Sequence, residues 1–450
     1  MKNITIDYEQ SCHIPKETLN LQEEKLSSEI ERITNARTHN YSTEYASINL
    51  PFDEELITTI CATAKSKKCQ LQPTTLVVIG IGGSNLGTIA VLEALRGKFY
   101  NQHYDINVFF VDTVDTDHVN DIAQLVEREL ATGNNILINV ISKSGTTTET
   151  IANFEVFLEI LKSHRPYNYC NFVVATTDKH SALWQLAQDE EFTYLEIPEN
   201  VGGRYSVFSA VGLFPLCFLG IDIENLCAGA QSGFLLSTQK QLYNNPAALS
   251  AALIATHYKQ GNIIHDTFLF SVAFEGIGAW YRQLSAESVG KAYNKDNELI
   301  NTGVLPTISI GSTDLHSVAQ LYLAGPYNRF TTFIAVEKNK TDITVPNYEE
   351  FEALVPKIQN KSLSTIMTAI LDGTKRAYLN DKRPFVSVIL PEKSAYCLGQ
   401  LMQIKMTEIM YLGFLLNVNP FDQPQVENYK KETKKILLTP SSVPSDGDPN

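Results

Sequence analysis

The sequence lacks several features that would assign it to common protein classes. Its seven cysteines are scattered and include no C-x-x-C pair, so neither a disulfide framework nor a zinc site is indicated. The longest apolar run, residues 211–221, is interrupted by Pro215 and is too short to cross a membrane. Asp7 and Glu9 lie where a signal peptide would need apolar residues. We therefore expect a protein of a reducing cytoplasm.

Positive charge is also scarce. The chain has 36 Lys and Arg residues against 50 Asp and Glu residues, which gives a formal net charge of -14. This charge disfavours a large interface with nucleic acid or with an anionic membrane. An anionic small molecule can still bind if its site is locally positive. No H-E-x-x-H motif, close histidine pair or acidic cluster suggests a metal site, and we expect neither a metal nor a cofactor.

What the sequence does contain is an alternation of short apolar, β-branched runs with helical periodicity, clearest over residues 73–225. The runs predict strands at residues 76–79, 107–111, 135–141 and 172–175, with helices at 86–95, 119–130 and 147–161 between them. Strands of this kind are typical of parallel sheets that are buried on both faces. The alternation therefore predicts a doubly wound α/β domain.

A weaker alternation over residues 226–418 predicts a second α/β domain. The predicted strands are residues 267–273, 307–310, 331–336 and 385–389, and the predicted helices are 278–289 and 362–379. Before the first domain, residues 1–72 are predicted to form a helical arm with an amphipathic helix at 19–33. Residues 419–450 are predicted to form a C-terminal arm, and its last twenty residues a poorly ordered tail because of their charge and proline content.

Two loops carry the features of an anion site. The glycine loop (residues 80–87) follows a predicted strand, and its Gly82, Gly83 and Ser84 let backbone N–H groups approach a ligand. A dinucleotide fingerprint requires a sixth-position glycine, and Asn85 stands there instead. Asp112, at the end of the next strand, is the one feature that suits a dinucleotide, although a strand-end cap explains it equally well.

The hydroxyl-rich loop (residues 142–150) gives the stronger signal. Six hydroxyl side chains and Lys143 lie within nine residues, where a strand ends and a helix begins. A helix N-terminus offers unpaired N–H groups and partial positive charge, which suits a phosphate monoester. Thr146 and Glu149 also have capping-box spacing. The expected phosphate ligands in this loop are Ser142, Lys143, Ser144, Thr146, Thr147 and Thr150.

Together with these loops, four further motifs resemble the glucose-6-phosphate isomerase family, in the family's order, over residues 75–430. They are GGRYS at residues 202–206, QLSAESVGK at 283–291, DLHS at 314–317 and FDQPQVENYK at 421–430. The resemblance implies two α/β domains of the sugar-isomerase type, a sugar-phosphate substrate held in the cleft between them, and a homodimer.

Moving a carbonyl between C1 and C2 of a sugar requires a base and a group that stabilises the enediolate. The resemblance assigns the base to Glu287, and Gln283 shares its helix face one turn earlier as a substrate contact. It assigns the enediolate contact to Arg204, whose guanidinium remains charged and can act without a metal.

A closed sugar ring must also be opened. The resemblance assigns this step to His316, contributed by the neighbouring subunit, and to Lys430, while Gln423 contacts the substrate. Asp314 is a potential N-cap beside His316. Gln425 departs from the family, which usually has a small residue there, and so leaves the direction of Lys430 open. A second departure is Asn85, where an aromatic residue is common.

Two other functions remain open on the sequence. A non-catalytic sugar-phosphate sensor would need the hydroxyl-rich loop but has no reason to keep Glu287, Arg204, His316 and Lys430 together. A nucleotide-dependent dehydrogenase is disfavoured by Asn85 and by the second anion-binding loop.

Overall fold

A computed structural model of the chain describes residues 2–439, which form an α/β protein built on two five-stranded sheets. Its strands, in chain order, are β1 (Thr5–Asp7), β2 (Thr75–Ile79), β3 (Asn107–Val111), β4 (Ile136–Ile141), β5 (Val173–Asp178), β6 (Thr193–Ile197), β7 (Ile264–Leu269), β8 (Lys291–Tyr293), β9 (Leu299–Thr302), β10 (Leu305–Ile310), β11 (Arg329–Lys338) and β12 (Phe385–Glu392).

The α-helices lie between and around these strands. In chain order they are α1 (Lys16–Ala36), α2 (Glu54–Leu71), α3 (Leu86–Arg96), α4 (Tyr100–His103), α5 (Thr116–Ala131), α6 (Thr148–His164), α7 (Ala182–Asp189), α8 (Ala210–Phe218), α9 (Ile223–Ser237), α10 (Pro246–Lys259), α11 (Glu275–Val289), α12 (Ala319–Ala324), α13 (Leu363–Asn380), α14 (Ala395–Leu415) and α15 (Val426–Leu438). No helix in the described part of the chain has the length and hydropathy needed to cross a bilayer.

The first sheet is entirely parallel, in the order β3-β2-β4-β5-β6. Its four predicted strands are confirmed to within a few residues. The fifth strand, β6, was missed although its burial alternates toward its end, as expected of a strand at the sheet edge. The strand order reverses between β2 and β4. Ligands of open α/β sheets bind at the carboxyl ends of the strands at such a reversal.

The second sheet has the order β1-β12-β11-β7-β10, and β1 is its one antiparallel member. The prediction that the N-terminal arm is helical was therefore incomplete, since Thr5 pairs with Ile389 at the edge of this sheet. The four strands predicted here are confirmed, although β7 begins earlier and ends earlier than predicted. Beyond β7 the chain turns away from the sheet into a short 3-10 helix at Val272–Phe274.

A helical layer joins the two sheets. Helix α14 is buried along nearly its whole length, and its few charged residues are paired, as in the Lys405–Glu408 ion pair. It touches α9 backbone to backbone: a Cβ added at Gly229 would lie 1.9 Å from the Tyr396 carbonyl oxygen, and one added at Gly399 would lie 1.9 Å from that of Leu226. Helix α11 approaches α3 in the same way at Gly276. The helix that carries Glu287 is thereby fixed against the helix that follows the glycine loop.

The C-terminal arm is helical further than expected. Residues 431–438 continue α15, so the prediction of a poorly ordered tail was wrong for that part. No residue of α15 is buried, and its polar composition reflects this exposure. The rest of the predicted tail, residues 440–450, lies outside the described residues.

Candidate active site

The two anion-binding loops lie side by side at the strand reversal of the first sheet. The glycine loop follows β2 and the hydroxyl-rich loop follows β4, and these strands are neighbours. A Cβ added at Gly80 would lie 3.0 Å from the Ile141 carbonyl oxygen, so the glycine loop begins in contact with the last residue of β4, directly before the hydroxyl-rich loop. The parallel pairing therefore directs both loops to one edge of the sheet.

The hydroxyl-rich loop leaves the start of α6 open. Thr147, not Thr146, is the N-cap of the helix, and its side chain caps no backbone N–H, so the predicted capping box is absent. Instead, the Ser142 and Thr147 hydroxyls share a hydrogen bond of 2.9 Å, and the Ser144 hydroxyl accepts one of 3.3 Å from the Thr146 N–H. The helix N-terminus thus keeps its polarity available to an anion, with hydroxyl groups around it.

Two predicted ligands in this loop are directed elsewhere. The Lys143 ammonium donates a hydrogen bond to the Glu199 carbonyl oxygen, and burial lowers the pKa of Lys143. The Thr150 side chain, in the first turn of α6, is buried. Ser142 is buried as well, whereas Ser144 and Thr146 are exposed.

The glycine loop reaches across to the motif at residues 202–206. A Cβ added at Gly83 would lie 2.2 Å from the Gly203 carbonyl carbon and 2.7 Å from the Arg204 nitrogen. Gly82 has a φ of +60° and faces the Gln283 side-chain amide, which a Cβ there would meet at 2.8 Å. Glycine is therefore required at two successive positions for the loop to contact both Arg204 and α11. Ser84 ends this 3-10 turn and is partly exposed.

Arg204 is buried at the centre of the cluster, with its side chain 1% exposed. Its Nε donates a 2.7 Å hydrogen bond to the Ser288 hydroxyl. Its two terminal nitrogens contact Glu287 and the arginine-binding segment (residues 420–423). Nη2 donates to the Pro420 and Asp422 carbonyl oxygens at 2.6 and 3.0 Å, and Nη1 donates to the Gln423 side-chain oxygen. Every guanidinium nitrogen is occupied, which fixes the charge in position.

Glu287 lies on the last turns of α11, between two hydrogen-bond donors. Its Oε2 is 3.5 Å from Arg204 Nη1, and its Oε1 accepts a hydrogen bond of 3.1 Å from Gln283 Nε2. The four-residue spacing of Gln283 and Glu287 puts both on one helix face, as predicted. The Glu287 side chain is 29% exposed, so its carboxylate remains accessible to a ligand. Such a group can accept a proton from carbon and return it.

The sequence reasoning assigned no role to several residues of this cluster. Ser288 and Tyr205 form a 3.1 Å hydroxyl pair beneath Arg204, and both are buried. The carbonyl oxygens of Pro420 and Asp422 give no signal in a sequence, because any residue supplies one. Lys291, which was quoted in a motif, contacts the Glu287 carbonyl oxygen and Asp422.

His316 follows β10, an edge strand of the second sheet. It ends the 3-10 helix Thr313–His316 that follows β10, and it is exposed. Asp314 caps no helix here, contrary to the prediction: its carboxylate accepts hydrogen bonds of 2.7 Å from the Ile310 N–H and the Ser317 hydroxyl. Within residues 2–439, His316 makes no hydrogen bond or ion pair with Arg204 or Glu287.

Lys430 likewise makes no hydrogen bond or ion pair with Arg204 or Glu287 within the described residues. It lies on α15, where its ammonium is 2.8 Å from the carboxylate of Glu427 one turn earlier. Gln425 immediately precedes this helix with a φ of -69°, which any residue adopts. The departure from a small residue therefore causes no backbone strain at that turn.

The other departure, Asn85, is fully buried. Its side-chain amide donates a hydrogen bond of 3.0 Å to the carboxylate of Asp112. The acid that would hold a nucleotide ribose is thus engaged within the protein, which argues against the dehydrogenase hypothesis.

The sequence is similar to those of known proteins. A sequence model of the family described as phosphoglucose isomerase matches residues 54–448. A curated relative named glucose-6-phosphate isomerase, from Carboxydothermus hydrogenoformans, is 31% identical over 445 residues, which are 96% of this chain and 94% of the relative. One with the same name from Listeria monocytogenes is 33% identical over 402 residues, 87% of this chain and 86% of the relative.

Solved structures share the fold over the whole chain. A hypothetical protein from Thermus thermophilus has a TM-score of 0.86 and 29% identity, and the match covers 97% of this chain and 100% of that one. A glucose-6-phosphate isomerase from Chlamydia trachomatis has a TM-score of 0.84 and 21% identity, covering 99% and 90%. At that identity, the second match is evidence for the fold alone.

Proposed function

The chain belongs to the phosphoglucose isomerase family, and we propose that the cluster of Arg204 and Glu287 interconverts glucose 6-phosphate and fructose 6-phosphate through an enediolate. The enzyme is an aldose-ketose isomerase of glycolysis and gluconeogenesis. The observation that carries the residue assignment is the pairing of a buried, fully coordinated arginine with an accessible carboxylate, which the glycine loop joins to the sheet edge where the hydroxyl-rich loop begins.

The phosphate binds at the hydroxyl-rich loop in this proposal. The first amides of α6 and the exposed hydroxyls of Ser144 and Thr146 supply donors, and the helix N-terminus supplies partial positive charge. A locally positive site of this kind can hold a dianion in a protein of net charge -14. The sugar then extends from the first sheet toward α11, past Gly82 and Gln283.

Proton transfer follows at Glu287. The carboxylate takes the proton from C2 of the open-chain aldose, which leaves an enediolate, and returns it to C1, while the C2 hydroxyl proton moves to the C1 oxygen to give the ketose. Arg204 stabilises the negative charge on the enediolate oxygen. Its Nη1 is held by Gln423 in this structure, so the substrate oxygen has to displace or share that contact. Gln423 is then adjacent to that oxygen and contacts the substrate.

Ring opening is assigned to His316 and Lys430, and each needs a further step. The exposure of His316, and the absence of any hydrogen bond or ion pair to Arg204 or Glu287 within residues 2–439, are consistent with a role in the site of a second copy in a homodimer. Lys430 must leave Glu427 and turn toward the sugar, which the exposed α15 can allow. In this proposal the protein is a cytoplasmic homodimer, and each subunit has two α/β domains, at residues 73–225 and 226–418.

The first experiment follows fructose 6-phosphate by NMR in D₂O, without added metal or nucleotide. Formation of glucose 6-phosphate with deuterium at C2 is expected if an enediol forms and Glu287 exchanges its proton with solvent. Glu287→Gln should reduce turnover by roughly 10²-fold or more while fructose 6-phosphate still binds. Glu275→Gln, at the other end of α11, is the matched control and should leave turnover unchanged.

Two outcomes would contradict the assignment. Unchanged turnover in Glu287→Gln would remove Glu287 from proton transfer. Binding of fructose 6-phosphate by the wild type, with neither exchange nor conversion, would favour the sensor hypothesis.

The shared site of the homodimer can be tested by mixing two inactive variants. Homodimers of His316→Ala and of Glu287→Gln each lack one required group at both sites. If His316 serves the partner's site, random mixed dimers contain one intact site, and activity should return to about a quarter of that of the wild type. If His316 serves its own subunit's site, both sites of the mixed dimer are defective and no activity returns.

A further inference from the structure

We propose that Lys291 is a positioning residue that fixes the end of the catalytic helix α11 to the arginine-binding segment (residues 420–423). The inference rests on the proposed roles of Glu287, Arg204 and Gln423. Lys291 does not touch the substrate in this proposal. It acts by holding in register two chain segments that are more than a hundred residues apart in sequence.

The contacts of Lys291 involve both segments. Its ammonium donates a hydrogen bond of 2.9 Å to the carbonyl oxygen of Glu287, one of the unpaired carbonyls in the last turn of α11. It also donates to the carbonyl oxygen of Asp422 and lies 2.9 Å from that residue's carboxylate. A lysine ammonium has three donors, and each has an acceptor here.

The Asp422 carbonyl oxygen is the centre of the arrangement. It accepts from Lys291 and, at 3.0 Å, from Nη2 of Arg204, so two cations hold one peptide group. The next residue, Gln423, contacts Nη1 of the same arginine. A shift of the Asp422 peptide would therefore change the positions of Gln423 and Arg204 together. Lys291 also stabilises the negative end of the α11 dipole, directly below Glu287.

The burial of Lys291 indicates that its contacts with Glu287 and Asp422 are specific. Its side chain is 5% exposed, and burial lowers the pKa of Lys291 although the adjacent Asp422 carboxylate opposes the change. Lysine is seldom buried without a partner, because desolvating an ammonium is costly. A lysine needed only for solubility would stay in solvent, as Lys295 does in the turn between the antiparallel strands β8 and β9.

The expected kinetic effect separates turnover from binding. Lys291→Met keeps most of the apolar stem and removes the ammonium. We expect turnover to fall by roughly 10-fold to 100-fold, since a displacement of about 1 Å at a catalytic group has effects of that size. KM for fructose 6-phosphate should change by less than about threefold, because the hydroxyl-rich loop that holds the phosphate follows β4 of the first sheet, to which Lys291 does not belong. Lys295→Ala is the matched control and should retain wild-type turnover.

Chemical rescue tests the ammonium itself. A cavity of about 510 Å³ is lined by Lys291 and Asp422, among other residues, and provides a route for a small amine. Lys291→Ala should therefore regain activity with ethylammonium, but not with tetramethylammonium at the same ionic strength, since only the former donates hydrogen bonds. A loss of activity caused by general destabilisation would respond equally to both salts.

A double-variant cycle decides the case even if Lys291→Ala fails to fold. If Lys291 acts through Gln423, adding Lys291→Met to Gln423→Ala should reduce turnover little further. Turnover of Lys291→Met within about twofold of the wild type would overturn the inference, as would full additivity in the cycle. All results are ratios to wild-type turnover, so an inactive wild type would refute the proposed function rather than the role of Lys291.

Discussion

Gly83→Ala is expected to inactivate the enzyme by pushing two loops apart. The added Cβ would lie 2.2 Å from the carbonyl carbon of Gly203 and 2.7 Å from the backbone nitrogen of Arg204. Both neighbours are backbone atoms, so no side-chain rotation can relieve the clash. The glycine loop and the motif at residues 202–206 must separate instead.

The size of the effect follows from these distances. An ordinary contact begins at 3.4 Å, so the two backbones must separate by roughly 1.2 Å. Arg204 follows Gly203 directly and would be displaced from Glu287 by a similar amount. A misplacement of about 1 Å at a reacting group can reduce turnover by about 10²-fold. Overpacking should also lower the free energy of unfolding by about 1–3 kcal/mol.

Gly203→Ala provides a control from the opposite side of the same contact. A Cβ added at Gly203 meets only the Gly83 Cα, at 4.0 Å, which leaves room for it. Both substitutions add one methyl group beside the same contact, but the methyl group of Gly83→Ala points into the opposing backbone and that of Gly203→Ala does not. We therefore expect Gly203→Ala to keep turnover within a few-fold of the wild type.

The assay is the initial rate of glucose 6-phosphate formation from fructose 6-phosphate, coupled to a dehydrogenase. Urea unfolding of each variant gives the stability change on the same preparation. If Gly83→Ala keeps turnover within about threefold of the wild type, the loops separate without displacing Arg204. The close approach of Gly83 would then have no part in positioning the arginine, and the reasoning above would be refuted.

Two further predictions concern stability. Burial lowers the pKa of His257 to about 4, so below pH ~6.5 the unfolded chain binds a proton that the folded chain does not. The free energy of unfolding should therefore fall between pH ~6.5 and pH 4, by up to roughly 3 kcal/mol. Urea unfolding at several pH values should show a smaller fall for His257→Asn than for the wild type. Lys405→Met leaves the buried Glu408 carboxylate without its ion-pair partner at 2.6 Å and should lower the free energy of unfolding by roughly 3–5 kcal/mol, measured by denaturation. The double variant Lys405→Met/Glu408→Gln should regain part of that stability, because it removes the unpaired charge.

Local pattern was sufficient for most of the fold. Buried strands such as β2 and β4 are continuous β-branched runs, and helix periodicity depends only on neighbours within a few residues, so both are visible in the sequence. Strand β1 was not predicted, because three residues have no pattern of their own and become a strand only by pairing with β12. The order of strands within each sheet was likewise invisible, since it depends on packing rather than on local propensity.

The same distinction between local sequence and tertiary structure applies to the candidate site. The sequence by itself determined the chemistry: glycine and hydroxyl groups at strand ends, a Gln-Glu pair on one helix face, and an arginine after two glycines. Only the tertiary structure decided that Arg204 is held by Ser288 and by the carbonyl oxygens of residues 420 and 422, and that Lys291 shares one of them. Backbone acceptors are present at every residue, so which of them bind a given cation depends on contacts between distant segments.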